Sequence, residues 1–156
     1  MNLWIIAVGG KMPAWVGAGF SEYAKRMPPQ ARMQLIEIKP EKRGSAKNIR
    51  QVLEAEKKRI LAALPRHCWR VVLDERGKML STMQLAQSLA RWMAAGRDVG
   101  FVIGGADGLE NEVKASADMR LSLSAMTLPH ALARVVLAEQ LYRAVSLLHN
   151  HPYHRQ

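Results

Sequence analysis

The sequence predicts an α/β fold, one domain over residues 1–156 in which a mostly parallel sheet carries helices on both faces. Three observations point there. Short apolar runs alternate with stretches of helical periodicity from one end of the chain to the other. No internal repeat, low-complexity tract or linker interrupts that alternation. A composition of 49% hydrophobic and 23% charged residues over 156 positions supplies enough apolar surface for a real core.

Residues 3–8 read as a buried strand, and Gly9, Gly10, Lys11, Met12 and Pro13 as the turn after it. Over residues 14–26, Trp15, Val16, Ala18, Phe20, Tyr23 and Ala24 recur at helical spacing until Pro28 and Pro29 stop the element. A second strand covers 33–38. A basic, glycine-containing loop then occupies 40–47. Residues 48–64 form a long helix with Ile49, Val52, Leu53, Ile60, Leu61 and Leu64 on its inner face, ended by Pro65. Strand three spans 69–73, with Asp74, Glu75, Arg76, Gly77 and Lys78 as its C-terminal loop. Ser81 or Thr82 caps a helix running to about Ala95, with Gly96 at the position after the C-cap. Strand four is 99–103, a short helix follows over 109–117, and strand five is 120–123. The last helix, 131–148, spreads Leu132, Val135, Val136, Leu137, Leu141, Val145 and Leu148 over more than half its circumference. That is wider than one sheet face requires, so a second burial surface, most simply a homodimer contact, is expected.

The apolar start MNLWIIAVGG lacks a basic flank and a small-residue cleavage site, and its glycines end it too soon for a membrane span. The single cysteine, Cys68, allows no internal disulfide and reads as a buried structural thiol. A cytoplasmic, reducing setting without membrane attachment is therefore expected.

The net charge is +10, and residues 39–70 hold ten basic side chains against three acidic ones. A field this one-sided attracts polyanions before any specific contact forms. With only 6% aromatic residues a stacking platform for single strands is disfavoured, and recognition of a folded RNA by shape and phosphate is the better expectation. Lys42, Arg43, Lys47 and Arg50 are assigned to RNA phosphates.

Two runs end in turns that suit a ligand: residues 99–103 stop at Gly104 and Gly105, and residues 121–123 stop at the loop 124–130. In an open α/β sheet ligands lie beyond the carboxyl ends of the strands, so two adjacent ends of this kind are the first candidate site. Backbone groups of that second loop can meet the edge of a planar heterocycle while Leu123, Met126 and Leu128 wall its faces. An ordinary strand-to-helix connection, with Thr127 or His130 at the helix start, is the plainer alternative. The GxGxxG order of a dinucleotide fold is absent, which weakens a nucleotide-dependent oxidoreductase. His149, His151 and His154 cluster in the tail, but no second group of ligating residues supports a metal site. A non-catalytic basic RNA-binding or ribosome-assembly factor accounts for the charge yet leaves the loop 124–130 without a purpose.

Taken together, GGADGL at 104–109, LSAMTLPH at 123–130, ARVVL at 133–137, EQLYRA at 139–144 and NHPYHR at 150–155 resemble one family. It is the SPOUT-superfamily methyltransferases of large-subunit ribosomal RNA that modify a pseudouridine. AVG at 7–9, KMP at 11–13, KRG at 42–44 and LDERGK at 73–78 extend the resemblance over nearly the whole chain; Thr82 departs from it, where related sequences often have serine. The resemblance implies a C-terminal trefoil knot, an exception to unknotted folds. It implies S-adenosylmethionine as cofactor, contacted by Leu73, Gly104, Gly105, Leu123, Ser124, Ala125, Met126, Thr127 and Leu128. It implies methylation of N3 of a pseudouridine in 23S rRNA of the assembled 70S ribosome. It also implies a homodimer, with the last helix at the interface and the C-terminal tail reaching the partner's cofactor site. Tyr153 and His154 are the candidates for positioning the base or relaying the N3 proton, with His130 and Arg143 as substrate contacts. No metal is called for, because a sulfonium carries its own leaving group.

Overall fold

The computed structural model describes residues 1–44 and 47–155, His154 through its backbone alone. Ser45 and Ala46 of the basic loop, Gln156 and the His154 side chain, one of the two tail candidates, lie outside the described residues. The elements are β1 (Asn2–Val8), α1 (Ala14–Ala24), β2 (Arg32–Ile38), α2 (Ile49–Ala63), β3 (Trp69–Met79), α3 (Thr82–Ala94), β4 (Val99–Ile103), α4 (Asn111–Ala115), β5 (Met119–Ser122) and α5 (His130–Leu148), followed by a 3-10 turn, Pro152–Arg155.

All five strands are parallel, in the order β2-β1-β4-β3-β5. Alternation along β1 splits the core: Leu3, Ile5 and Ala7 face one side, Ile6 and Val8 the other. The first side is covered by α1, α3 and α5 through Phe20, Leu85, Leu89, Leu137 and Leu141. Trp92 meets Phe101 of β4 edge-on there, with centroids 6.4 Å apart. The second side is covered by Ile60 and Leu64 of α2 and Val113 of α4. β4, buried at every position, is the central strand.

Three sequence expectations change. The ends of β4 and β5 are not adjacent, because β3 lies between them. β3 does not stop at Leu73. Both Leu73 and Lys78 pair with Leu121 of β5, so residues 74–77 leave the ladder as a bulge and the strand resumes to Met79. On α2, Ile49 and Leu61 are exposed, whereas Glu56 and Lys57 are buried. Partners from other segments explain the exchange: Glu56 accepts the Glu41 N–H at 3.0 Å, and Lys57 bridges Glu54 and Glu112 at 2.9 Å each. The same two carboxylates hold the Lys57 ammonium well above its ordinary pKa.

The breadth of α5 is used mostly within the chain. Its inner face lies on the sheet, while α1 and α3 pack along it and the C-terminal turn folds against its last turns. Helix boundaries follow their caps. Asn48 with Gln51, and Ser81 with Gln84, form capping boxes at α2 and α3, and Gly96, at φ +71°, takes the left-handed position after α3. Cys68 is buried, and desolvation pushes its thiol up, which disfavours the thiolate.

At the amino ends of the strands, Asp98 ties the sheet together. Its carboxylate accepts the Asn2 N–H at 2.9 Å and the Trp4 indole N–H at 3.2 Å, and its carbonyl accepts the Trp69 N–H at 2.8 Å. Burial acts to raise this carboxyl, but the hydrogen bonds outweigh it and hold it below the usual aspartate range. The fold thus favours the charged form. Its contribution is complete above the unfolded-chain value near about 3.9 and is lost as the pH falls through the lower folded value. Asp98→Asn is expected to cost about 1–2 kcal/mol at neutral pH, read as a lower urea midpoint. The gap to the parent should close on acidification below about pH 4. A gap unchanged down to about pH 2.5 would contradict this role.

Candidate active site

The chain leaves β3 for the α3 side of the sheet and β4 for the α4 side, so a crevice opens between their carboxyl ends. A cleft of about 650 Å³ lies there, within the usual size range for a small-molecule site. Three segments line it: Leu73 to Arg76 from the β3 bulge, the glycine loop after β4, and the loop from β5 into α5.

Each segment is shaped by a local requirement. In the bulge, the Asp74 carboxylate accepts the Arg76 N–H at 3.1 Å. Gly77 then lies flat on β5: a Cβ there would stand 2.7 Å from the Arg120 carbonyl carbon and 2.8 Å from its oxygen. In the glycine loop a turn closes through Gly108 N–H to Gly105 O at 3.1 Å, and a Cβ on Gly104 would be 2.8 Å from the Gly108 backbone. In the third loop the Ser124 hydroxyl accepts the Met126 N–H at 2.9 Å, and the Ser122 hydroxyl donates to the Ser124 carbonyl at 3.0 Å. Met126 stands 79% exposed at the rim, an apolar surface open to a ligand.

The plainer alternative has His130 right: it is the first residue of α5, although Pro129 occupies the N-cap and no side chain caps the helix. The positive end of a 19-residue helix therefore opens toward the cleft with its first N–H groups available. Leucines 73, 109, 121, 123 and 128 supply apolar walls, and Asp74, Glu75, Arg76 and Lys114 bring both signs of charge. Such a cleft can take a flat heterocycle at its apolar part and a zwitterion at its polar end.

Of the residues expected at a cofactor site, Leu73, Gly104, Gly105, Leu123, Ser124, Met126, Thr127 and Leu128 line the cleft; Ala125 is exposed and does not. His130 lines it too. Asp74, Glu75, Arg76 and Lys114 were missed. The polar, glycine-containing DERGK run reads as a surface loop until β5 is known to pair on both sides of it.

Tyr153 and Arg143 are elsewhere. Arg143 lies 13 positions beyond His130 on α5, about 20 Å along a helix axis. There its guanidinium meets Glu139 at 2.7 Å and lies over the Tyr153 ring at 4.9 Å, while the Tyr153 hydroxyl donates to Glu139 at 3.3 Å. The Tyr142 and Tyr153 rings meet at a tilt of 53° with centroids 4.6 Å apart. Desolvation, then a hydrogen bond with Tyr23, pushes the Tyr153 phenol up to about 12, so it is a proton donor at neutral pH.

The basic residues are unequal. Lys47 pairs with Glu41 at 2.8 Å, Arg59 pairs with the same carboxylate at 2.7 Å, and Arg43 pairs with Asp107 of the glycine loop. Lys42 and Arg50 are exposed and have no ion-pair partner among the described residues. Also among the described residues, no three His, Cys, Asp or Glu side chains converge as metal ligands, and no helix is long and apolar enough to cross a membrane.

Comparison with known proteins agrees with this geometry. A family model described as "Predicted SPOUT methyltransferase" matches residues 1–154. The chain is 59% identical over 155 residues to the ribosomal RNA large subunit methyltransferase H of Burkholderia multivorans (strain ATCC 17616 / 249), covering 99% of each. In fold it is similar to a probable methylase family protein from Haemophilus influenzae Rd KW20, with TM-score 0.57, 14% identity, and 97% and 69% of the two chains covered. It is also similar to a protein described for 2-OH methylation of C/U34 on tRNA, with TM-score 0.52, 22% identity, and 93% and 97% covered.

The close approach of Gly77 to β5 generates a paired prediction. Gly77→Ala is expected to lower stability by about 1–3 kcal/mol, because backbone must shift to admit the methyl group. Gly17, mid-helix in α1 with nothing within 4 Å of its Cβ position, serves as the control. Gly17→Ala is expected to raise stability by up to about 1 kcal/mol. Thermal denaturation of both variants checks the contrast, and equal effects would mean that the bulge is not held in this way.

Proposed function

This chain belongs to the SPOUT methyltransferase family, and we propose that it methylates N3 of a pseudouridine in 23S rRNA of the assembled 70S ribosome, with S-adenosylmethionine as donor. The observation that carries this reading is the cleft beyond β3, β4 and β5, lined by eight of the residues the family resemblance implies, in a chain 59% identical to a large-subunit ribosomal RNA methyltransferase over its full length. An assembly factor without catalysis would have no use for such a cleft. A cytoplasmic setting and the family's knotted chain path belong to the same proposal.

The residues present fit the cofactor. Leu123, Leu73 and Leu128 offer faces for an adenine, and exposed backbone of the two loops can meet its edge. Asp74 and Glu75 suit the cationic part, while Arg76, Lys114 and the uncapped α5 terminus suit a carboxylate. When bound, the sulfonium supplies an electrophilic methyl group whose leaving group is a neutral thioether. The protein's part is then to hold the target nitrogen in line with it, for which effective molarity can account for ~7–11 kcal/mol of the barrier, and to give the N3 proton a way out. His130 at the cleft is placed to contact the base. Lys42 and Arg50 are open to RNA phosphates, with Arg43 and Lys47 adding to the field.

The tail contributes from a second copy. Because Tyr153 and Arg143 lie at the far end of α5 from their own cleft, pairing two α5 helices head to tail would bring one protomer's tail to the other's cleft. Tyr153, protonated at neutral pH, would orient the base by donating and not by removing a proton. His154 joins it in this proposal from its place in the tail sequence.

Purified protein, S-adenosylmethionine and ribosomes lacking the modification should give N3-methylpseudouridine by mass mapping of the 23S rRNA, and no methyl transfer would sink the reading. Lys42→Gln with Arg50→Gln should flatten the slope of log affinity against log salt by about 0.7–0.9 for each phosphate left unneutralised. The dimer has its own test, in which a Leu123→Trp chain with a blocked cleft is mixed with a Tyr153→Phe/His154→Ala chain with a disabled tail. After subunit exchange, equal mixing should restore about a quarter of parental activity, since half of the dimers then hold one complete site. No restoration above either variant alone would show that each chain serves its own cleft.

A further inference from the structure

The Arg43–Asp107 ion pair joins the two surfaces that the proposed reaction needs, and its acidic partner is mostly buried. Asp107 lies between Ala106 and Gly108, both of which line the cleft, yet its own side chain does not; it is 14% exposed and directed to Arg43. Its backbone belongs to the turn closed through Gly108 N–H to Gly105 O. Arg43 belongs to the basic loop, whose root is pinned to α2: Arg59 donates to the Lys39 carbonyl at 2.8 Å and to Glu41 at 2.7 Å, and the Glu41 N–H donates to Glu56 at 3.0 Å. The ion pair ties the loop at residue 43 directly to the glycine loop. The Arg43 side chain is 59% exposed and has no other partner among the described residues, so a guanidinium with five donors keeps most of them free while one side is held.

We propose that Asp107 is a positioning residue for RNA: it fixes Arg43 at the rim of the cleft, so that a phosphate taken by the free side of the guanidinium is registered against the methyl donor, and RNA and cofactor binding become mutually dependent. This rests on the function proposed above. The dependence follows from the shared element, since a ligand that settles the glycine loop also settles Arg43, and linkage makes the effect reciprocal. The opposite sign has an equally concrete cause: a carboxylate beside Arg43 could shield it from RNA, in which case removing the charge would strengthen RNA binding.

Four full-length proteins separate these outcomes: the parent, Asp107→Asn, Arg43→Gln and the double variant. Methyl transfer to unmodified 70S ribosomes gives KM and kcat, and ribosome binding is measured with and without S-adenosylhomocysteine as an unreactive probe of the cleft. The expected result for Asp107→Asn is a KM for ribosomes raised about three- to fivefold, the size that a single exposed ion pair can carry, with kcat and melting temperature at parental values. The double variant should be no worse than Arg43→Gln alone, and the gain in ribosome affinity that the probe gives the parent should disappear in all three variants. A KM that falls in Asp107→Asn, or single effects that multiply in the double variant, would overturn the proposal while leaving the methyltransferase reading intact. A parent that transfers no methyl group would overturn both.

Discussion

Leu121 is opposite two residues of β3, Leu73 before the bulge and Lys78 after it, and the cleft depends on that double pairing. Four residues must be accommodated where the partner strand advances by none. They can only bow out of the sheet plane, and Gly77 lets the bow return directly onto the β5 backbone. The excursion gives the crevice its charged wall, with Asp74, Glu75 and Arg76 facing a glycine loop on one side and the entry to α5 on the other. Had β3 ended at Leu73, the crevice would lack both carboxylates and one guanidinium, leaving Lys114 to supply its charge.

The two ends of the sheet are held by different kinds of bond. Asp98 binds the amino ends of β1, β3 and β4 through backbone and indole donors, and the two faces of the sheet are covered by five helices. At the carboxyl ends the chain makes loops whose groups bond mainly within their own turn, as Ser124 and Asp74 do. A ligand there meets preformed backbone without disturbing the core, which suits a site built for positioning. The basic surface is ordered by the same economy of partners. Glu41 alone holds Lys47 and Arg59, so much of the formal charge on residues 39–70 is already committed to shaping the loop.

Much of this architecture was legible in the chain. β1 and β4 announce themselves as unbroken apolar runs bounded by glycine, and α3 carries its cap, its stripe and its terminal glycine in sequence. What stayed hidden depends on partners distant along the chain. The continuation of β3 through a polar, glycine-containing run is stabilised by β5, more than forty positions later. The inward turn of Glu56 and Lys57 at the expense of Ile49 and Leu61 needs Glu41 and Glu112. Strand order is hidden for the same reason: the loops after β4 and β5 stand out in the sequence as candidates to line a cleft, but not that β3 separates them. The width of α5 is partly used by α1 and α3, and periodicity alone does not tell those helices from a second copy of the chain.

The burial of Cys68 has a practical side. Because that lone thiol is enclosed between α2 and the sheet and is reluctant to ionise, alkylating reagents should pass it by in the folded state. A new cysteine placed on an exposed position, such as Arg155 in the tail, would then be the one reactive handle on the molecule. The surroundings of the tail could be followed by a single fluorophore, without first removing a native residue.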